Sequence, residues 1–388
     1  MKRLVTGVLV AFILAMPVGA QETIKVGIVA PFSGPFADYG KQFEAGIKAY
    51  QKLHGDKAGG HPIEIVIRDT GGPSPEVAKR LATELAVRDK VDFLAGFGLT
   101  PEALAAADVA TEAKKPMIIF NAATSVITTK SPYIARTSMT LPQISAPMGA
   151  WAAKNGVKRV YTLVADYGPG IDAESAFAKS FKAAGGEIVD SVRTPMRSPD
   201  FAPFVQRIKD SKPDGVFVFV PAGEQSIGFV KAFTERGLAQ AGIKVIATGD
   251  VTDDHVLNAM GDGAIGMITS FHYSVAHDSP ENKAFLKAYA EVAPNAGRAN
   301  FMTVGAFDGM ALIYDIVAKL NGKIDADRAM AIVKGWKTQS PRGPISIDPQ
   351  TRDIVQTIYL RRVEKRNNEL WNVEFDKFEN VKDPGKQP

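Results

Sequence analysis

The sequence predicts an α/β protein of two doubly wound lobes, and three observations predict it. Short β-branched or aromatic runs alternate with segments of helical spacing, several of the runs are continuously apolar, and the whole alternation restarts near residue 158. The first series places strands at 24–30, 63–68, 91–95 and 117–120. Its first helical segment carries Phe43, Ile47 and Tyr50 at intervals of four and three, which puts them on one face suited to covering a sheet. The second series places strands at 159–165, 187–192, 215–220 and 243–248. Residues 216–220 are apolar without interruption. A strand with one wet face would alternate, so this pattern fits a parallel sheet covered on both sides. Beyond it, 299–320 reads as a long helix, 325–335 as a shorter one, 357–363 with 370–375 as a late hairpin, and 379–388 as a flexible tail.

Composition narrows the function classes. The chain has 388 residues, 45% hydrophobic and 23% charged, which fits two compact domains and excludes disordered, collagen-like and coiled-coil chains. Forty-six basic against 42 acidic side chains give +4, too even a balance for a dedicated nucleic-acid binder. Lys2 and Arg3 precede an apolar run over 4–16, then Pro17 and the small triplet Val18, Gly19, Ala20. Residues 1–20 therefore read as a cleaved secretory signal, the run being shorter than the ~20 residues of a spanning helix. No later segment is read as a membrane span. The absence of cysteine excludes disulfides, thiolate metal sites and a lipidated cysteine, so an exported chain must rely on core burial. Soluble export to the periplasm is the expectation.

In open parallel sheets ligands bind beyond the carboxyl ends of the strands, where helix N-termini present free N–H groups, and that rule selects loops. The first, residues 31–40, contains the Ser33-Gly34-Pro35 turn and Tyr39, an aromatic lid or simply a side chain packed on its own domain. The second, 96–101, offers Phe97 and Thr100, the latter suited to an N-cap with Pro101 at the first helical position. The third, 121–125, offers Ala122, Ala123 and Thr124, small enough for backbone amides to approach a carboxylate. Either of these last two loops alone reads as a cap; on neighbouring strands they form a carboxylate cradle. The second lobe offers Tyr167, Gly223 and Asp250, each just after a strand. A carboxylate enclosed there with a ligand requires a cationic partner, an ammonium being the expected one; the alternative is that Asp250 or its acidic neighbours cap a helix beginning near Thr252.

Catalytic readings fare worse. Residues 261–266 match the dinucleotide fingerprint by letter, but they follow a helix and precede a strand, the reverse of the required context. Ser226 falls one residue late for a nucleophile elbow, and His272 and His277 match no firm metal-ligand spacing. No catalytic residue, metal or cofactor is expected.

The 33–40 turn, the 121–124 stretch, the Asp166-Tyr167-Gly168 segment and the leader together resemble the leucine/isoleucine/valine-binding family of periplasmic substrate-binding proteins. The resemblance implies a type I fold: two Rossmann-like lobes with mainly parallel sheets, joined by a hinge of three crossings. The N-lobe would comprise 24–142 plus 273–345 and the C-lobe 143–272 plus 346–378. It further implies that Thr100, Ala122 and Thr124 hold the ligand carboxylate, that Tyr39 and Tyr167 form aromatic walls, and that Asp250 receives the α-ammonium, where branched-chain binders usually carry Glu. Gly223 falls where some relatives place an aromatic side chain, and Phe97, Phe271 and Tyr273 are candidates to line a ring-shaped ligand. The function implied is capture of an amino acid, branched-chain or similarly apolar, by a monomeric binding component that delivers it to the membrane permease of an ATP-driven importer. The alternatives are the same fold holding a benzoate or phenylpropenoate, or a ligand-sensing subunit reporting to a receptor, with an exported enzyme third.

Overall fold

The computed structural model describes residues 22–197 and 199–386, so the leader expected at 1–20 lies outside the described residues. The chain builds its first sheet from β1 (Ile24–Ala30), β2 (Lys57–Ala58), β3 (His61–Asp69), β4 (Phe93–Gly96), β5 (Met117–Ile119) and β6 (Ile134–Arg136), in the order β2-β3-β1-β4-β5-β6. All pairings are parallel except β2 with β3. Helices α1 (Ala37–His54), α2 (Pro75–Val87) and α3 (Thr100–Glu112) connect them, and α1 buries Phe43, Ile47 and Tyr50 on one face as their spacing requires.

After β6 the chain runs into α4 (Leu141–Lys154) and starts a second unit: β7 (Arg159–Ala165), α5 (Gly168–Ala183), β8 (Glu187–Thr194), α6 (Ala202–Ser211), β9 (Gly215–Phe219), α7 (Glu224–Glu235), β10 (Lys244–Thr248) and β11 (Ile268–Phe271). These strands pair in parallel in the order β8-β7-β9-β10-β11. Every residue of β9 is buried, which is the double coverage its unbroken apolar run demands. Under it, Phe177 stacks on Phe217 at 4.0 Å and on Phe181 at 5.3 Å.

The chain then returns. Helices α8 (Pro280–Val292) and α9 (Phe301–Leu320) pack against α1 of the first unit, followed by α10 (Ala326–Val333). Gly46 of α1 permits the approach, since a Cβ there would lie 2.2 Å from the Thr303 carbonyl. Helix α9 is long and apolar enough to cross a membrane, contrary to the sequence reading, but 83% of its apolar window is buried inside the protein, so it serves as the lobe's central helix. Asp308 on α9 is neutralised internally by Arg342 at 2.8 Å.

Finally β12 (Lys337–Ser340), β13 (Gly343–Ile347), β14 (Ile354–Arg366) and β15 (Glu369–Val381) join the second sheet, β14 lying antiparallel to β11 and paired with both β13 and β15. The expected hairpin is thus longer at both ends. Residues 379–386 differ from the flexible tail the sequence suggests: 379–381 complete β15, and Asp383 and Lys386 are largely buried against other elements. Polarity misled the reading, because charged residues signal exposure only when they lack partners.

Replacing Phe177 with Ala removes a fully buried ring from the second lobe's core and is expected to cost about 3–5 kcal/mol, read as a lowered midpoint in urea unfolding.

Candidate functional site

In both sheets the strand order reverses where β1 meets β4 and where β7 meets β9, and each reversal opens a crevice at the strands' carboxyl ends. The two crevices face each other. Between them lies a narrow cavity walled by both lobes. The first lobe lines it with Tyr39 after β1, Gly98, Leu99 and Thr100 after β4, and Asn121, Ala122 and Ala123 after β5. The second contributes Tyr167 and Pro169 after β7, Phe219 and Pro221 at β9, and Asp250 after β10. Met139 and Leu141 close it at the crossing between the lobes.

Thr100 is the first residue of α3 rather than its N-cap, a place taken by Leu99. Its hydroxyl is therefore not spent on the helix and meets the Thr124 hydroxyl at 2.9 Å. The helix start is braced instead by Glu102, whose carboxylate accepts from the Leu99 amide at 3.3 Å and from the Thr70 hydroxyl. Burial lifts the Glu102 carboxyl to a pKa of about 8. The Ala122 amide is already bound to the Phe97 carbonyl at 2.9 Å, whereas among the described residues the Ala123 and Thr124 amides donate to no protein acceptor. From the opposite lobe, the first residue of α5, Gly168, faces the same spot; a Cβ there would lie 2.7 Å from the Thr124 hydroxyl. The Thr100 and Thr124 hydroxyls, the unspent Ala123 and Thr124 amides and the start of α5 thus converge on one end of the cavity, the arrangement that suits an anion.

The other end is acidic. Asp250 is 6% exposed, its Oδ2 has no hydrogen-bond partner among the described residues, and burial raises its pKa from 3.8 to about 7. It sits in a short 3₁₀ turn, Gly249–Thr252, and caps no helix. The nearby Arg361 is occupied elsewhere, giving hydrogen bonds to the Tyr273 carbonyl and the Thr269 hydroxyl. Tyr39 and Tyr167 flank this end, and burial pushes both phenols above their ordinary pKa. Tyr167 stacks on Phe219 at 6.0 Å, and the Tyr39 hydroxyl reaches the Ala222 carbonyl at 3.5 Å across the lobes.

Four expected lining residues lie elsewhere. Phe97 is fully buried in the first lobe's apolar core and its φ of +58° places a bulky side chain in the left-handed region; its backbone, not its ring, serves the site by holding Ala122. Gly223 borders a neighbouring cavity with Asp253 and His255, and its φ of +100° explains the glycine on conformational grounds. Phe271 and Tyr273 are core residues. Asn121, which sequence reasoning passed over, donates to the Gly98 carbonyl at 2.8 Å and leaves its buried Oδ1 unpartnered. Phe219 was hidden because it ends an apolar strand that reads as core throughout.

A sequence model described as periplasmic binding protein matches residues 23–368. The chain belongs to that family. Among its relatives, the Leu/Ile/Val-binding protein homolog 6 of Brucella melitensis is 46% identical over 386 residues, 99% of each chain. A solute-binding protein of an ABC transporter from Rhodopseudomonas palustris BisB5, solved with 3,4-dihydroxybenzoic acid, is 55% identical with a TM-score of 0.91 over 94% of this chain and 99% of its own. Another from R. palustris, solved with 4-hydroxybenzoate, is 48% identical with a TM-score of 0.92 over 94% and 100%. The leucine-binding protein of Thermotoga maritima, 20% identical with a TM-score of 0.80 over 92% and 99%, shares the fold. The architecture is the type I periplasmic binding protein fold of two lobes with mainly parallel sheets, and the family consists of solute-binding components of ABC importers, which implies a periplasmic location.

Two outcomes follow from the geometry. Gly168→Ala is expected to oppose lobe closure by about 1–3 kcal/mol, seen as weaker ligand binding with little change in unfolding temperature. Because burial raises the folded-state pKa of Asp250, its proton stabilises the fold fully below about pH 4, and that contribution is lost as pH rises toward about 7. In melting scans of ligand-free protein, Asp250→Asn is therefore expected to gain on the unsubstituted chain between those limits and hold a constant lead above them; parallel curves would contradict the assignment.

Proposed function

We propose that this periplasmic binding protein captures a benzoate-type aromatic acid carrying a ring hydroxyl and delivers it to the permease of an ATP-driven importer, acting as a monomer exported by the leader in residues 1–20. The observation that carries this reading is the unpartnered, buried Oδ2 of Asp250 between aromatic walls. A phenolic hydroxyl donates to that oxygen without bringing a charge, and it also suits an Asp250 that holds a proton for part of the time near pH 7, since a carboxylic acid still offers an acceptor oxygen. Tyr39, Tyr167 and Phe219 supply flat apolar surface for the ring. The Thr100 and Thr124 hydroxyls, the Ala123 and Thr124 amides and the start of α5 then receive the carboxylate, with Ala122 and Ala123 keeping that approach free of bulk. The dihydroxybenzoate and hydroxybenzoate in the two R. palustris relatives support the same choice.

Closure follows from differential affinity: a ligand touching both lobes stabilises the state in which Tyr39 meets Ala222 and Gly168 meets Thr124. The units that move are the two lobes expected from the sequence, 24–142 plus 273–345 against 143–272 plus 346–378, with one change at their border: residues 337–347 form β12 and β13 of the second sheet and move with it. No covalent step is assigned to any residue.

The amino-acid reading rests on the same oxygen, which would accept an α-ammonium, and on the name of the Brucella relative. Calorimetric titration separates the two. 4-Hydroxybenzoate and 3,4-dihydroxybenzoate are expected to bind about tenfold or more tightly than benzoate, the worth of one hydrogen bond to a charged acceptor, and Asp250→Leu should erase the difference. Binding of leucine with no response to the hydroxybenzoates would replace this proposal by the amino-acid one.

A further inference from the structure

Residues 382–386 follow β15 and cross the seam between the lobes. Asp383 accepts a hydrogen bond from the Ser125 hydroxyl, and Gly385 packs so close that a Cβ would lie 2.5 Å from the Ser125 Oγ and 3.0 Å from Pro142 Cγ at the start of α4. The Lys386 ammonium donates to the Thr128 hydroxyl and to the Asp353 carboxylate. Asp353 in turn pairs with Arg136 at 3.3 Å, where both side chains are buried to within 1%. Arg136 donates to the Thr124 carbonyl at 2.7 Å and to the Met139 carbonyl at 3.0 Å. Two routes therefore run from the C-terminal segment to the cavity wall: Asp383 to Ser125, and Lys386 through Asp353 and Arg136 to Thr124 and Met139.

These contacts form a charge-balanced cluster of Arg136, Lys386, Asp353 and Asp383, joined at its edge by Asp172 of α5, which accepts from the Ser125 amide at 2.8 Å. A buried ion-pair cluster adds little net stability, because desolvation offsets much of the attraction, but its geometry is specific. Here that specificity bears on one loop. Residues 121–124 have no regular secondary structure to hold them and Ser125 only opens a short 3₁₀ helix, Ser125–Thr129, yet the hydroxyl and amide groups at 123 and 124 must stay aimed into the cavity.

We propose that Lys386 and Asp383 are positioning residues for the ligand-binding loop: the C-terminal segment is a strap that holds residues 121–125 from behind, so that the Thr124 and Ala123 donors are set before ligand arrives. The proposal rests on the reading of that loop as the carboxylate cradle, and its test keeps the two apart. Hydrogen–deuterium exchange on ligand-free protein reads the strap alone. Lys386→Ala and Asp383→Asn are expected to speed exchange at amides 125–128, where Ser125 donates to Asp172 and Ile127 to the Thr124 carbonyl, while leaving the β9 and α9 amides unchanged, and Lys386→Arg, which keeps the charge, should restore protection. Titration with 4-hydroxybenzoate then reads the consequence, a dissociation constant raised about three- to thirtyfold in the first two variants and recovered in the third. Unchanged exchange at 125–128, or exchange raised evenly along the chain, would overturn the strap. Faster local exchange with unaltered affinity would overturn its role in positioning. Should the unsubstituted protein fail to bind 4-hydroxybenzoate, the ligand assignment falls while the exchange experiment still decides the strap.

Discussion

A carboxyl group enclosed by protein with one oxygen left unpaired is costly, and among the described residues Asp250 is the one of this kind that lines the cavity. A donor from outside the chain, brought by whatever enters the cavity, satisfies that oxygen. Its environment thus ties the energetics of the cavity to the separation of the two sheets. The aromatic walls make the connection sharper: the Tyr39 hydroxyl is directed to a backbone carbonyl and Phe219 has no donor, which leaves the Tyr167 hydroxyl as the one wall donor near Asp250. What fills the cavity must be apolar across its middle and polar at both ends.

The fold supplies the second half of this arrangement with little specialised machinery. Strand-order reversals in both sheets turn the loops toward one another, and two helix starts, at Thr100 and Gly168, meet at the end opposite Asp250. Residues that never touch the cavity keep this end open. Glu102 occupies the capping duty that would otherwise fall to Thr100, and the unusual backbone of Phe97 fixes Ala122, leaving the next two amides unspent.

Much of this was legible in the chain because period and position carry it. Parallel strands announce themselves through unbroken apolar runs, and the rule that ligands sit beyond strand carboxyl ends selected Tyr39, Thr100, Ala122, Ala123, Tyr167 and Asp250, all of which line one cavity. What escaped has a physical reason in each case. Phe97 follows a strand as a lining residue should, but its positive φ swings the ring into the core, and no pattern of neighbours declares that angle. Phe219 looks like any buried strand residue. Lys386 and Asp383 looked like a solvated end because their partners, Asp353 and Ser125, lie 33 and 258 positions away in the chain. Pairings of that reach leave no periodic trace.

The return of α8 and α9 to α1 has a consequence for how the polypeptide acquires its shape. The first sheet's covering layer stays incomplete until residue 320 is available, after the entire second sheet up to β11 has been made. Contacts so distant along the backbone form slowly, since a large loop must close before they contribute. A chain made amino-terminus first therefore spends most of its synthesis with the first lobe's core unfinished.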